Sequence, residues 1–281
     1  MTVSVCTPVY NGERYIGDTI RSVLAQDYKD LELIVSDNCS TDATVEVVRG
    51  CADPRIRLVR NERNIGAIAN WNRVRQLARG RYVKLLPADD VLYPDCLSTQ
   101  VGVLDDAAHR TVALVCAKRD IVDEAGGLLW PARGLGGMTG PVSAREAIRR
   151  CVRAGANLMG EPAAVLVRAD ALARAGPFDD RLPYMIDFEL WSRVLRHGDL
   201  YAVRRALCTF RVTSTSESVA VTAHQGAQAR ALLRRLRAEG AFGVTAADLA
   251  LGLPRASLAP YLRRLAYLEV RRRRAMTRKR A

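Results

Sequence analysis

The chain has 281 residues, 49% hydrophobic and 26% charged, the balance of a soluble globular protein with room for one α/β domain of ~200–250 residues and an appendage. Disorder, collagen and coiled coil are excluded for the bulk of the chain, and no apolar run approaches the ~20 residues that a membrane-spanning helix needs. The net charge of +13 is concentrated: residues 230–281 carry 14 of the 43 Lys/Arg but 3 of the 30 Asp/Glu, leaving residues 1–229 nearly neutral.

In chain order, Val3–Thr7 is an apolar strand running into Pro8, and Arg14–Ala25 carries a helical stripe of Tyr15, Ile16, Ile20, Val23 and Leu24. Leu31–Ser36 reads as a strand, Asp42–Val48 as a helix, Ile56–Val59 as a strand, Ala67–Ala78 as a helix stopped near Gly80, and Tyr82–Leu86 as a strand. Strands separated by helices of this length imply right-handed crossovers and a parallel sheet. Beyond Pro94 the pattern predicts a helix over Asp95–Leu104, a strand over Val112–Cys116 and a mobile loop over the glycine-rich Gly126–Gly140. Next come a helix over Ser143–Val152 with Ser143 and Glu146 as a capping box, a strand over Ala163–Val167, an amphipathic helix over Asp187–Leu195 and a strand pair over Leu200–Val212. After Ser218 the pattern is helical throughout.

Ligands of such sheets bind beyond the carboxyl ends of the strands. Those ends are Thr7-Pro8-Val9-Tyr10-Asn11, Asp37-Asn38, Asn61 to Asn64 and Ala88-Asp89-Asp90, and three of the four offer polar or acidic groups that a purely structural sheet does not need. Adjacent acids repel unless something positive joins them, so Asp89-Asp90 points to a hard divalent cation, Mg²⁺ or Mn²⁺, or else to a helix-start turn. Asp37 could accept a pyrimidine N3–H or close an Asx turn. Asp187 lies four residues before Trp191 on one helix face, where a carboxylate can take a proton from a hydroxyl or simply serve the helix dipole. Glu189 pairs by spacing with Arg193, which favours a surface ion pair. His109, His197 and His224 share no ligand or triad spacing, and Trp71 and Trp130 read as packing residues. Seven widely spaced cysteines without a C-x-x-C read as reduced thiols of a cytoplasmic protein, and no basic segment followed by an apolar core opens the chain.

Five segments then appear in a fixed order: Thr7-Pro8-Val9-Tyr10-Asn11-Gly12, Ser22-Val23-Leu24-Ala25-Gln26, Leu31 through Asp42, Asn64-Ile65-Gly66 and Ala88-Asp89-Asp90. Fainter ones follow at Gly160-Glu161-Pro162, Met185 through Trp191 and Phe210-Arg211-Val212. Together they resemble family 2 glycosyltransferases, of a rhamnosyltransferase-like subgroup, over residues 3–216. The resemblance implies a GT-A fold: a Rossmann-like, mostly parallel sheet flanked by helices, a nucleotide-sugar-binding half over 1–93, an α+β acceptor-side half over 94–216, and a basic helical extension over 217–281. It implies an inverting transfer of a hexosyl or deoxyhexosyl group from a UDP- or dTDP-sugar to an acceptor hydroxyl.

By the same resemblance Pro8 and Tyr10, with Thr7 and Asn11 beside them, flank the nucleobase that Asp37 binds. Asn64 and Gly66 border the ribose and diphosphate, and Asp89 meets the metal. Asp90 stands in for the missing first acid of the family's D-x-D pattern, a position that is Pro87 here. Arg211 stabilises the leaving group, and Asp187, the survivor of the family's Glu-Asp pair, is the base. The acceptor (glycan, lipid-linked glycan, peptide or secondary metabolite) stays open.

At the C-terminus, Leu258, Tyr261, Leu262, Leu265 and Leu268 form an apolar stripe among arginines. Such a helix can dock on its own domain, pair with a twin subunit, or lie on the inner face of a membrane. Two other readings stand against the transferase. A nucleic-acid-binding protein would need a basic face on the main domain, and a nucleotidyltransferase would need a glycine- and lysine-bearing loop where Thr7–Glu13 has neither a glycine run nor a lysine.

Overall fold

A computed structural model of the chain describes residues 1–213 and 222–261. The first half alternates as expected: β1 (Val3–Val9), α1 (Ile16–Leu24), β2 (Leu31–Asp37), α2 (Thr44–Gly50), β3 (Ile56–Arg60), α3 (Ala67–Gln76) and β4 (Tyr82–Leu85). The four strands lie parallel in the order β3-β2-β1-β4. Every residue of β2 is buried, which is why its sequence is a near-continuous apolar run instead of an alternation. One of the β4 residues is Lys84, fully buried, with its ammonium 2.7 Å from Gln100 Oε1 and 3.5 Å from Cys96 Sγ.

In the second half the expected helices and strands appear in chain order, with further elements between them. It contains α4 (Cys96–Asp105), β5 (Val112–Val122), β6 (Leu128–Arg133), β7 (Gly140–Val142), α5 (Ala144–Ala154), β8 (Val165–Arg168), α6 (Ala169–Ala175), α7 (Ile186–Val194) and β9 (Asp199–Arg211). The late strand β8 inserts antiparallel between β4 and β5, and β9 runs parallel to β5. Gly126–Gly140 is not a mobile loop. It holds β6, hydrogen-bonded to β5, and a turn that buries Leu135 and Met138 in the core; its glycines supply positive φ at positions such as Gly134 (φ 113°). Leu200–Val212 is one strand, not a pair, because its pairing with β5 shifts register near Lys118 instead of turning. The strand predicted at Val112–Cys116 runs on to Val122. Helix α5 is capped as its sequence implies, with Ser143 Oγ accepting the Glu146 N–H at 3.2 Å.

Helix α8 (Thr222–Ala238) sends Leu232, Leu233 and Leu236 into the core that also holds Phe188 and Trp191 of α7. A last helix, over residues 246–261, is held to α5 by one carboxylate. Asp248 takes Arg149 Nε at 2.8 Å and Arg153 Nε at 2.6 Å. Burial alone would raise its pKa, but hydrogen bonds from Arg149, from the Thr245 N–H and from Arg153 outweigh burial and hold it well below the usual range. Next to this clamp a Cβ on Gly252 would collide with the Val152 carbonyl, so only glycine permits the approach. Among the described residues no helix is long and apolar enough to cross a membrane.

The depressed pKa of Asp248 fixes a sign. Its stabilising contribution is present above the unfolded carboxyl pKa of ~4 and is lost as pH falls toward the lower folded value. Asp248→Ala should lower Tm by about 3–8 °C at neutral pH, and the difference from the parent should shrink as melting is repeated at decreasing pH below ~4.

Candidate active site

The carboxyl ends of β1, β2 and β4 build one rim. Val9 pairs with Asp37 and Cys6 with Leu85. The ends of β2 and β4 therefore flank β1 at about 10 Å from each other. Asp37 is fully buried. Its Oδ1 and Oδ2 accept the Ser40 N–H at 3.3 and 3.2 Å, and Oδ2 also meets Arg60 Nε at 3.2 Å. A carboxylate has about four acceptor positions, so Oδ1 keeps one for a further donor. Thr7 is buried with its hydroxyl unpartnered, Pro8 is half-buried, and Tyr10 is 49% exposed at the mouth.

Asn11 adopts φ 50° and uses its side chain internally, accepting the Thr41 N–H at 2.9 Å. It thus pins the 40–41 turn rather than leaving its amide oxygen free. Asn64 accepts from Asn38 Nδ2 and from the Gly66 N–H, both at 2.8 Å, and Gly66 (φ 86°) opens α3 with nothing within 4 Å of a hypothetical Cβ. An amide ladder supports this corner, joining the strand-end residues Asn38 and Asn61 to Asn70, which no sequence signal marked. Asn61 donates to Asn38 Oδ1 at 2.8 Å and to Asn70 Oδ1 at 3.1 Å, and Asn70 also accepts from Ser36 Oγ.

Beyond β4, Asp89 is half-buried and Asp90 is buried. Asp90 Oδ1 accepts the backbone N–H of Arg211 at 2.8 Å, while Oδ2 has no hydrogen-bond partner. Burial, then the charge of Asp89, raises the Asp90 pKa well above the ordinary carboxyl value. Burial also raises Asp89, against the nearby positive charge of Arg211. Arg211 is 6% exposed and spends its donors on main-chain oxygens: Asp89 O at 2.8 Å, and Asp123 O and Glu124 O at 3.2 Å. Its guanidinium carbon stands 4.8 Å from the Tyr15 ring centroid, a cation–π distance.

Among the described residues no three His, Cys, Asp or Glu side chains cluster to hold a metal by themselves. The orphaned buried oxygen of Asp90 beside the Asp89 carboxylate does suit a hard divalent ion that draws its remaining oxygens from water and phosphate.

Asp187 begins α7 and is half-buried. Burial first, and then the charge of Glu161, raises its pKa to about 7. The charge of Glu161 contributes to raising Asp90 as well. Arg119 on β5, 11% exposed, holds Glu161 by a two-pronged pair, Nε–Oε2 at 2.5 Å and Nη2–Oε1 at 2.8 Å. Glu161 falls within a segment of the family resemblance without an assigned role, and Arg119 lies in the unexpected extension of β5, where no sequence signal marks it. The i,i+4 pairing of Glu189 with Arg193 is present at 2.6 Å, but Glu189 is 2% exposed and also holds Arg235 of α8; it is a buried strut, not a surface pair. Trp71 packs on Phe178, as a packing residue should. Ser214 and Ser216, which follow Arg211 in the sequence, lie outside the described residues.

Gly66 stands apart from the acids in one respect. With Trp71, Phe178, Ile186 and Arg193 it lines an open groove of about 1120 Å³ between α3, α7 and α8, and Asp37, Asp89 and Asp187 do not line that groove.

Residues 4–172 match the family model Glycosyl transferase family 2. An uncharacterised glycosyltransferase of Rickettsia prowazekii is 25% identical over 210 residues, 75% of this chain and 64% of that protein. S. aureus TarS 1–349, solved with UDP-GlcNAc, superposes with a TM-score of 0.70 at 20% identity, over 91% of this chain and 72% of the other. The mannosyltransferase PcManGT of Pyrobaculum calidifontis, solved with GDP-Man and Mn²⁺, superposes at 0.61 and 19% identity, over 98% and 79%. With the family model spanning more than half of its length, the chain belongs to the family 2 glycosyltransferases, and its α/β architecture is that of the GT-A fold.

Because Glu161 adds its charge to the burial of Asp187, Glu161→Gln should move the Asp187 titration down from about 7 without restoring it to the ordinary value, burial being the larger cause. Carboxyl ¹³C NMR of Asp-labelled protein, with Asp187→Asn to assign the resonance, reads this out.

Proposed function

We propose that this chain transfers a hexosyl or deoxyhexosyl group from a UDP- or dTDP-sugar to an acceptor hydroxyl with inversion. The observation that carries the reading is the convergence on Glu161: a single fixed carboxylate acts on Asp187 at the start of α7 and on Asp90 at the end of β4. In this reading the site for proton removal and the site for diphosphate feel one common charge.

Asp37 accepts the N3–H of the base through its remaining lone pair, with Thr7, Pro8 and Tyr10 along the base edge. Asn11 shapes the adjoining turn, and Asn64 and Gly66 border the ribose and diphosphate. Asp89, with the free oxygen of Asp90 beside it, holds a divalent cation, Mg²⁺ or Mn²⁺. When bound, the cation offsets negative charge on the departing diphosphate. Arg211 fixes the Asp89 main chain and adds a second positive charge at that end of the cleft. Asp187 takes the proton from the acceptor hydroxyl as that oxygen attacks the anomeric carbon opposite the diphosphate. A base with a pKa near 7 is suited to this, since it is half ionised near neutrality and still basic enough to pull the proton. The cytoplasm, where the chain's free cysteines stay reduced, is where the enzyme works.

Asp187→Asn should lower turnover by about a hundredfold to ten-thousandfold and leave UDP affinity within about threefold. Near-normal turnover in that variant removes the base assignment. Asp89→Ala should weaken UDP binding measured with Mn²⁺ by calorimetry and change little without it. The acid limb of kcat against pH should rise through about 7, because Asp187 must lose its proton to act.

A further inference from the structure

Arg60 closes β3, at one end of the strand order, and its Cα pairs with that of Asp37 at the end of β2. The two side chains form an ion pair with unequal surroundings. Asp37 has no exposed surface, whereas the Arg60 side chain is 53% exposed. Of this pair, the guanidinium is therefore the part that a ligand meets first.

One edge of that guanidinium is already taken. Nε lies 3.2 Å from Asp37 Oδ2, and Nη2 donates to the Ser40 carbonyl at 3.2 Å. Both anchors belong to a turn that is itself held in place. Ser40 Oγ accepts the Asn11 N–H at 2.9 Å, the Thr41 N–H goes to the Asn11 side chain, and Cys39 takes a φ of 63°. A guanidinium is planar and carries five N–H donors. With Nε and one Nη2 N–H held, the fork made by Nη1 and the other Nη2 N–H remains. Among the described residues that fork has no hydrogen-bond partner.

An acceptor and a donor fork thus stand side by side at the end of the sheet where the nucleobase is assigned. A base that presents an imino N–H to Asp37 brings to Arg60 whatever its ring carries next. In uracil and thymine that neighbour is a carbonyl on either side, a good acceptor for a guanidinium. Adenine has neither a carbonyl nor an imino N–H, so it answers neither partner.

We propose that Arg60 is a specificity-determining residue for the donor nucleotide: its uncommitted fork donates to a carbonyl of uracil or thymine beside the N–H that Asp37 takes. This rests on the donor reading given above and adds to it a contact that lies outside the segments carrying the family resemblance.

The test is calorimetric titration of the parent, Arg60→Lys and Arg60→Ala with UDP and with ADP, Mn²⁺ present throughout. Lysine keeps a cation beside Asp37 but replaces the fork by a point charge. The melting temperature of Arg60→Lys should therefore match the parent's, while UDP binds it about tenfold more weakly. Arg60→Ala should lose about ten- to hundredfold, the range for a hydrogen bond from a charged donor. ADP should bind all three proteins equally. A loss of ADP affinity as large as that of UDP overturns the proposal, because it makes the phosphates the partner of the fork. So does UDP binding to Arg60→Lys at the parent's affinity, since charge alone then suffices. Those two results leave the donor reading standing, whereas a parent that binds neither UDP nor dTDP overturns that reading and the Arg60 assignment with it.

Discussion

One buried hydrogen bond joins the two halves of the molecule at the place where its chemistry is read. The Arg211 N–H, at the end of β9, donates to Asp90 Oδ1, at the end of β4, across 2.8 Å. These residues are 121 positions apart in the chain, and on the sheet their strands are separated by β8 and β5. In a low-dielectric interior such a bond is stronger, and its loss costlier, than at the surface. With the backbone so placed, the Arg211 side chain folds over Tyr15 and grips the carbonyl of Asp89. The acid pair at the end of β4, the sheet of the second half and helix α1 are thereby referred to one point.

The same corner carries a concentration of negative charge that would not survive in water-free surroundings without compensation. Asp89, Asp90, Glu161 and Asp187 are set against Arg119 and Arg211. Arg119 is committed to Glu161 through both carboxylate oxygens, and the donors of Arg211 go to carbonyls. Three acids thus lack a side-chain cation of their own, and burial raises the pKa of each. A site left short of positive charge is prepared for a ligand that brings some, or for a reaction that moves a proton.

Much of the first half was legible in the sequence because its code is local. The apolar strands, the helical stripe of α1 and the acids at the strand ends are each set by residues within a turn or a strand of one another. The second half was less legible because its pairing is not local. Nothing near Val112–Cys116 says that the strand runs on to Val122, and so nothing revealed that Arg119 would reach Glu161, 42 positions later. Glycine density over Gly126–Gly140 suggested mobility, but those glycines serve positive-φ turns in an ordered hairpin. Asp187 was singled out by the family resemblance and its place near a helix start, whereas its raised pKa depends on burial that no local pattern encodes.

The insertion of β8 beside β4 has a consequence for synthesis. When the ribosome has delivered the first hundred residues, β4 has β1 on one side and nothing on the other, because the strand that closes it, pairing Val83 with Val167, has yet to emerge. A nascent sheet with an open apolar border invites pairing with neighbouring chains. Lys84 sits in the middle of that border. Its charge is awkward in the finished core, where Gln100 and Cys96 must satisfy it, but on an unfinished edge an inward-pointing ammonium discourages intermolecular β-pairing until the proper partner arrives.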